Sequence, residues 1–301
     1  MLKPVQTMTF FLLLTCLGAS ATDVYRWVDK NGQVHYGDSP PEKPVDRVVH
    51  HKIEPGRPDD IAEFEVLDRA NGWDVYGTNR LRGPVEVSVS FKQSRSLSTE
   101  PRFPMRRVLN AGERVRLAKI DATARDANFS LQMQSVPGDP RASTDKRLYD
   151  FPFKQNAKWK ISQAFHGGFT HQDEQNRYAV DISVPVGSAI LAARSGVVMQ
   201  TMGGFERAGT NSEKYSERSN IIRILHEDNT MGLYAHLKPG GIMVREGQRI
   251  KSGQLIGYSG NTGYSTGPHL HFCLQINKGM RLVSIPFRMS GPNGELKLSR
   301  K

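Results

Sequence analysis

The chain has 301 residues, long enough for two domains and one substantial core. Its 38% hydrophobic content, 28 glycines and 17 prolines argue against a helical bundle and for a loop-rich, mostly β protein. A formal charge of +11 suits an anionic polymer, membrane or nucleic acid. No basic run is interleaved with aromatics as on a nucleic-acid surface, so no nucleic-acid partner is expected.

Lys3, the apolar stretch 8–17 and Ala19-Ser20-Ala21 form the three parts of a secretory signal peptide over residues 1–21, cut before Thr22. The apolar stretch is too short to span a membrane, and no other candidate span follows. Cys16, in Leu14-Thr15-Cys16-Leu17, fits a lipoprotein signal poorly and makes a lipid anchor the lesser alternative. Removal of the signal leaves Cys273 as the single thiol, which excludes an internal disulfide and a cysteine-built zinc site. Any metal must then be held by histidines and carboxylates.

Residues 22–44 predict a β-hairpin. Val24-Tyr25-Arg26-Trp27-Val28 and Gln33-Val34-His35-Tyr36 flank Asn31-Gly32, a strong hairpin turn. These residues resemble a small N-terminal module of secreted proteobacterial proteins, with the pattern V-Y-[KR]-W-x-D-x-x-G-x-x-x-[YF]-x-D-x-P. The resemblance implies export in a Gram-negative bacterium, with the periplasm as the expected location and an extracellular one as the lesser alternative. Residues 45–63 read as linker.

Residues 64–150 predict a β-sandwich-like domain. Val85, Val87, Val89 and Phe91 alternate with Glu86, Ser88 and Ser90, the pattern of a strand with one buried face. No catalytic constellation lies there. From residue 151 to 290 short apolar strands recur between turns, at 189–193, 196–199, 221–225, 232–235 and 254–258. This predicts an antiparallel β-sheet domain, with the polar insert 203–219 as a flexible wall and 291–301 as a polar tail.

Within that domain Leu270, Phe272, Leu274 and Ile276 alternate with His269, His271, Cys273 and Gln275. Period-2 alternation predicts a half-buried strand with both histidines on one face. Such a pair can start a metal site or a general-base pair, but taken alone it reads more readily as two surface histidines on an ordinary strand. Asp181, among the apolar neighbours of Tyr178-Ala179-Val180-Asp181-Ile182, suits either a metal ligand or a turn cap. His236, in Tyr234-Ala235-His236-Leu237, is by itself an ordinary half-buried strand-end histidine. His226 sits at a predicted hairpin tip and is expected in solvent. Cys273 is expected as a small residue packed beneath the site.

The ordered set His171…Asp181, then Tyr-Ala-His236-Leu, then Gly257-Tyr-Ser-Gly-Asn-Thr-Gly-Tyr-Ser-Thr-Gly-Pro-His269-Leu-His271-Phe resembles the lysostaphin/LytM-type zinc metallopeptidases, which include the β-lytic proteases. The resemblance covers residues 151–286. It implies one Zn²⁺ held by His171, Asp181 and His271, a metal-bound water as nucleophile, and His236 and His269 as assisting catalytic histidines. It also implies a secreted endopeptidase whose partner is the stem peptide of peptidoglycan; a monomer is expected. Many family members have H-x-x-x-D, and that spacing before Asp181 falls on Arg177, which is no ligand. A longer form points to His171, with His166 as its rival. Two other classes fit the resemblance: an inactive wall-binding regulator or amidase activator, and a secreted proteinase acting on proteins.

Overall fold

The computed structural model describes residues 22–28, 34–37, 48–53, 61–154, 157–168 and 170–299. The expected signal segment 1–21 lies outside these. The chain divides into two compact units, Met1–Pro58 and Asp59–Lys301. Among the described residues no helix is long and apolar enough to cross a membrane.

In the first unit Thr22–Val28 pairs antiparallel with Val34–Gly37, Val28 opposite Val34. This is the strand pairing expected of the hairpin, whose predicted turn at Asn31-Gly32 lies outside the described residues. A third strand, Val48–Ile53, pairs with Thr22–Val28 on its other side. It falls inside the stretch 45–63 expected as linker. Val48, Val49 and Ile53 are β-branched, and an open strand edge is a template for such a run.

The second unit begins with two antiparallel sheets. Ala62–Arg69, Gly72–Asn79, Arg114–Ala122 and Leu97–Glu100 lie side by side in one; Asn128–Pro137, Val85–Arg95 and Met105–Leu109 form the other. Trp73, Val75 and Ile120 of the first sheet pack on Phe91 and Phe129 of the second, giving the expected sandwich. Val85, Val87 and Val89 are fully buried as the alternation predicts. Glu86, expected on the outer face, is buried too. Its Oε2 accepts from Asn277 Nδ2 at 2.8 Å and from the Met280 N–H at 2.7 Å. The valine face also packs with Met199 and Met231 of the C-terminal region in one continuous core. Leu148–Tyr149, at the end of the predicted sandwich segment, pairs in parallel with Arg288–Gly291 instead.

An eight-stranded sheet carries the rest. Its path runs Lys160–Gln163, Val180–Ser183, His269–Asn277, Met231–Ala235, Ile221–Leu225, Gly196–Met202, Arg249–Ile250, and Leu282–Ile285 pairs with His269–Asn277 off this path. Leu270, Phe272 and Leu274 point into the main core with Val180, Ile182, Ile222 and Tyr234. The opposite face of the same strand is not in water: His271, Cys273 and Gln275 are also buried. The strand is therefore buried on both faces rather than half-buried. The segment after His171 covers it, the Gln175 carbonyl accepting from Gln275 Nε2 at 3.1 Å and facing Cys273 Sγ at 3.7 Å.

A smaller sheet of Ala189–Leu191, Leu255–Ser259 and Leu237–Ile242 adds Ile190, Ile256 and Leu237 to the main core. The insert 203–219 is tied down at Ala208–Gly209, which pairs with Gly263–Tyr264. It also carries a single helical turn, Ser212–Tyr215, capped by the Asn211 side chain. The segment expected as a polar tail folds back. Gly294–Glu295 pairs with Arg288–Gly291, Leu298 is buried in the main core, and its carbonyl accepts from the Phe165 N–H at 2.9 Å. Two leucines among charged residues suffice to anchor it.

Candidate metal centre

Strand register brings the first groups together. Asp181 stands opposite His271, and His271 stands opposite Ala235, the residue before His236. His171 enters from the loop ahead of Val180–Ser183 and is buried. Its Nδ1–H donates to the Ala164 carbonyl at 3.0 Å. A carbonyl only accepts, so Nδ1 carries a proton, and a ring with that one proton presents its lone pair at Nε2. That Nε2 is 3.2 Å from Asp181 Oδ1. His271 Nδ1 is 2.9 Å from the same oxygen. The other carboxylate oxygen, Oδ2, accepts from Gln163 Nε2 at 3.0 Å, which leaves Oδ1 to the histidines.

Two more imidazoles close the cluster. The His236 and His269 ring centroids are 4.6 Å apart. His236 ends its strand at φ +65°, a left-handed conformation uncommon for a side chain with a Cβ. It is held there by its N–H donating to Ser219 Oγ at 2.9 Å and its Nδ1–H donating to the Thr262 carbonyl at 2.6 Å. His269 donates its Nδ1–H to the Gly267 carbonyl at 2.8 Å, and its Nε2 is 3.6 Å from Asp181 Oδ1. Burial pushes His236 down to about 3, with His269 and His271 adding to the shift. Burial also lowers His269, against the pull of Asp181. Both rings are neutral at pH 7, with Nδ1 protonated and Nε2 an acceptor.

The ligand-type atoms of His171, Asp181 and His271 lie within 4.8 Å of one another, as do those of His236, His269 and His271. Burial works against the Asp181 carboxylate, but hydrogen bonds from His171 and His271, when those rings carry a proton toward it, outweigh burial and hold the group well below the usual carboxylate range. An anion this deep needs positive charge beside it. A proton on a neighbouring ring supplies it, or a cation held among the three. With neutral rings, two nitrogen lone pairs face a carboxylate oxygen, an arrangement of acceptors that a metal ion resolves. The nitrogen and oxygen donor set fits such an ion.

The structure thus brings together His171, Asp181, His236, His269 and His271. The rival His166 stands outside the cluster: it is exposed, with its ring against Tyr178 at 4.9 Å. His226 departs from expectation. It is buried, and its Nδ1–H donates to the Ser195 carbonyl at 2.9 Å. Cys273 is fully buried on the histidine face, and burial pushes its thiol up to about 12. Gln163, Asn176 and Ser219, which hold the site residues in place, carry no motif of their own, whereas Thr262 lies in the glycine-rich stretch that leads to His269.

Residues 175–282 match the model of peptidase family M23, and residues 10–63 match a domain of unknown function, DUF4124. The peptidoglycan DD-endopeptidase ShyA of Vibrio cholerae is 31% identical over 62% of this chain and 42% of its own length. The glycyl-glycine endopeptidase ALE-1 of Staphylococcus capitis is 37% identical over 32% of this chain and 24% of its own. The chain spans less than half the length of these curated relatives. Among solved structures, the catalytic domain of lysostaphin from Staphylococcus simulans is 30% identical, with 40% of this chain and 82% of that one covered and a TM-score of 0.29. Over its C-terminal region, the chain belongs to peptidase family M23.

Proposed function

We propose that the chain is an exported, zinc-dependent endopeptidase that hydrolyses peptide cross-links of peptidoglycan in the periplasm. The observation that carries this is the convergence of His171 Nε2, His271 Nδ1 and Asp181 Oδ1 beside two further neutral histidines. The names of ShyA and ALE-1 supply the substrate class. His171, Asp181 and His271 would hold the zinc, a set of nitrogen and oxygen donors that suits it. When bound, the ion supplies Lewis acidity toward the scissile carbonyl and toward water.

His236 and His269 do the proton work. Each commits Nδ1–H to a backbone carbonyl, so each has Nε2 available to accept a proton. The ring that takes the proton becomes a cation, able to donate to the leaving amine or to the carbonyl oxygen as it gains charge. An inactive wall-binding relative would not need all five side chains, and this chain retains them. The division of the chain follows the same reading: a signal over residues 1–21, a hairpin module from residue 22, the sandwich, then the peptidase region from 151.

The test is zinc content and murein cleavage on purified residues 22–301, with and without a chelator. About one zinc per chain with chelator-sensitive release of cross-linked peptides is the expected result. Cleavage that survives complete zinc removal would refute the mechanism, and absence of both zinc and cleavage would favour the binding-protein class.

A further inference from the structure

We propose that Asn176, oriented by Asp173, is a positioning residue that fixes which nitrogen of His271 faces the metal. The inference rests on the metal-centre reading above and adds a role for the longer segment between His171 and Asp181.

Asp173 forms a tight turn, its Oδ1 accepting from the Gln175 N–H at 2.8 Å and the Asn176 N–H at 3.0 Å. The Asn176 side-chain nitrogen lies 3.1 Å from Asp173 Oδ1 and 2.9 Å from Oδ2. A carboxylate accepts and does not donate, so the NH₂ end of the amide must face Asp173. The amide oxygen is thereby turned the other way, to 3.1 Å from His271 Nε2. An amide oxygen also only accepts, so Nε2 must carry the ring proton. Asp181 Oδ1, 2.9 Å from Nδ1, only accepts as well, so it is a metal held at that position that would leave the neutral ring with its one N–H at Nε2 and its lone pair at Nδ1. Asp173, Asn176 and His271 therefore form a one-way relay with every proton pointing away from the metal position.

The relay sits on a braced segment. The Glu174 carbonyl accepts from the Ser284 N–H at 2.7 Å and from Ser284 Oγ–H at 3.0 Å. The Tyr178 N–H donates to Ser284 Oγ at 3.1 Å, and the Glu174 carboxylate pairs with Arg281 at 3.2 Å. With Gln275 reaching the Gln175 carbonyl, the segment is seated against both His269–Asn277 and Leu282–Ile285. Asn176 is thereby held in place on a segment seated against two strands. Partners of this kind fix the tautomer and ring orientation of metal-bound histidines, and losing one typically costs about 10- to 100-fold in metal affinity.

The experiment measures zinc affinity by chelator competition for residues 22–301 as wild type, Asn176→Ala, Asn176→Asp and Asp173→Asn, with apo-protein melting as a folding control. Nitrogen-15 NMR of the zinc-loaded wild type reads the His271 ring. Asn176→Ala is expected to bind zinc about 10- to 100-fold more weakly at unchanged apo melting temperature. Asn176→Asp keeps an acceptor for Nε2–H but sets its second oxygen against the Asp173 carboxylate, and is expected to bind zinc more tightly than Asn176→Ala and more weakly than wild type. Asp173→Asn keeps an oxygen for the turn but frees the amide to reverse, and should fall between. The NMR spectrum should show His271 protonated at Nε2. Wild-type zinc affinity in Asn176→Ala, or a His271 protonated at Nδ1, would overturn the relay alone. A wild type that takes up no zinc would overturn the metal centre and the relay with it. If Asn176→Ala fails to fold, the spectrum and the Asn176→Asp affinity decide.

Discussion

At the turn end of the hairpin formed by Ile221–Leu225 and Met231–Ala235, a buried polar cluster contains its own cation. Arg194 reaches Asp228 Oδ2 at 2.8 Å, Asp145 Oδ2 at 3.1 Å and the Tyr149 hydroxyl at 3.1 Å, with His226 beside them. At the other end, past Ala235, Asp181 is more deeply buried than Asp228 or Asp145, yet the ion-pair partners found for it among the described residues are His171, His269 and His271. The first cluster has its positive charge built in, on Arg194. The second depends on a proton or a metal for its positive charge, and that dependence separates a structural network from a site for chemistry.

The strongest test of this contrast pairs Asp181→Ala with Arg194→Met. Asp181→Ala should lose stoichiometric zinc, the zinc-dependent rise in melting temperature and all cleavage above background. Arg194→Met should cost about 3 kcal/mol in urea unfolding while keeping the zinc-dependent rise. The reverse pattern would exchange the two roles. Next in size, His269→Ala should keep its zinc and lose about 100- to 10,000-fold in turnover; full activity in that variant would remove His269 from the mechanism.

The structural cluster also makes a pH prediction. Burial holds His226 down to about 4, against 6.5 for the free side chain. A lowered folded pKa means that the unfolded chain binds the proton first. Its contribution to stability is therefore complete above about pH 6.5 and drains away as pH falls toward 4, by about 3 kcal/mol. Urea midpoints of wild type and His226→Gln across that window should diverge by this amount, with the variant the flatter. Parallel curves would mean that His226 is not buried as a neutral ring. The smallest effect is expected at Cys273. Cys273→Ala should stay within about twofold of wild-type activity and lose about 1 kcal/mol, and thiol reagents should not label the folded protein.

The alternation of residues 269–276 was enough to predict the central strand and the shared face of its two histidines. It could not show that the second face is covered as well, because the covering residue, Gln175, acts through its carbonyl and leaves no side-chain pattern. The choice of His171 over His166 was open on spacing. In the fold the loop turns His166 outward onto Tyr178 and His171 inward onto Ala164, which supports the reading of His171 as the ligand. His226 was misplaced because Glu227-Asp228-Asn229 reads as a solvated tip. What buries it comes from Tyr149 and Ser195, distant in sequence. Gln163 and Asn176 were invisible for a related reason: each acts on a side chain far along the chain or across a turn, and hydrogen-bond partners have no periodicity.

The continuous apolar core of Val85, Val87 and Val89 with Met199 and Met231, latched by Glu86 on Asn277, bears on how this protein can be dissected. A cut near residue 150 would not release a self-sufficient catalytic fragment. It would leave two methionines facing water and an asparagine without its acceptor, at the far end of the strand that carries His269 and His271. Grafting the sandwich onto another member of the family would require carrying those methionines with it.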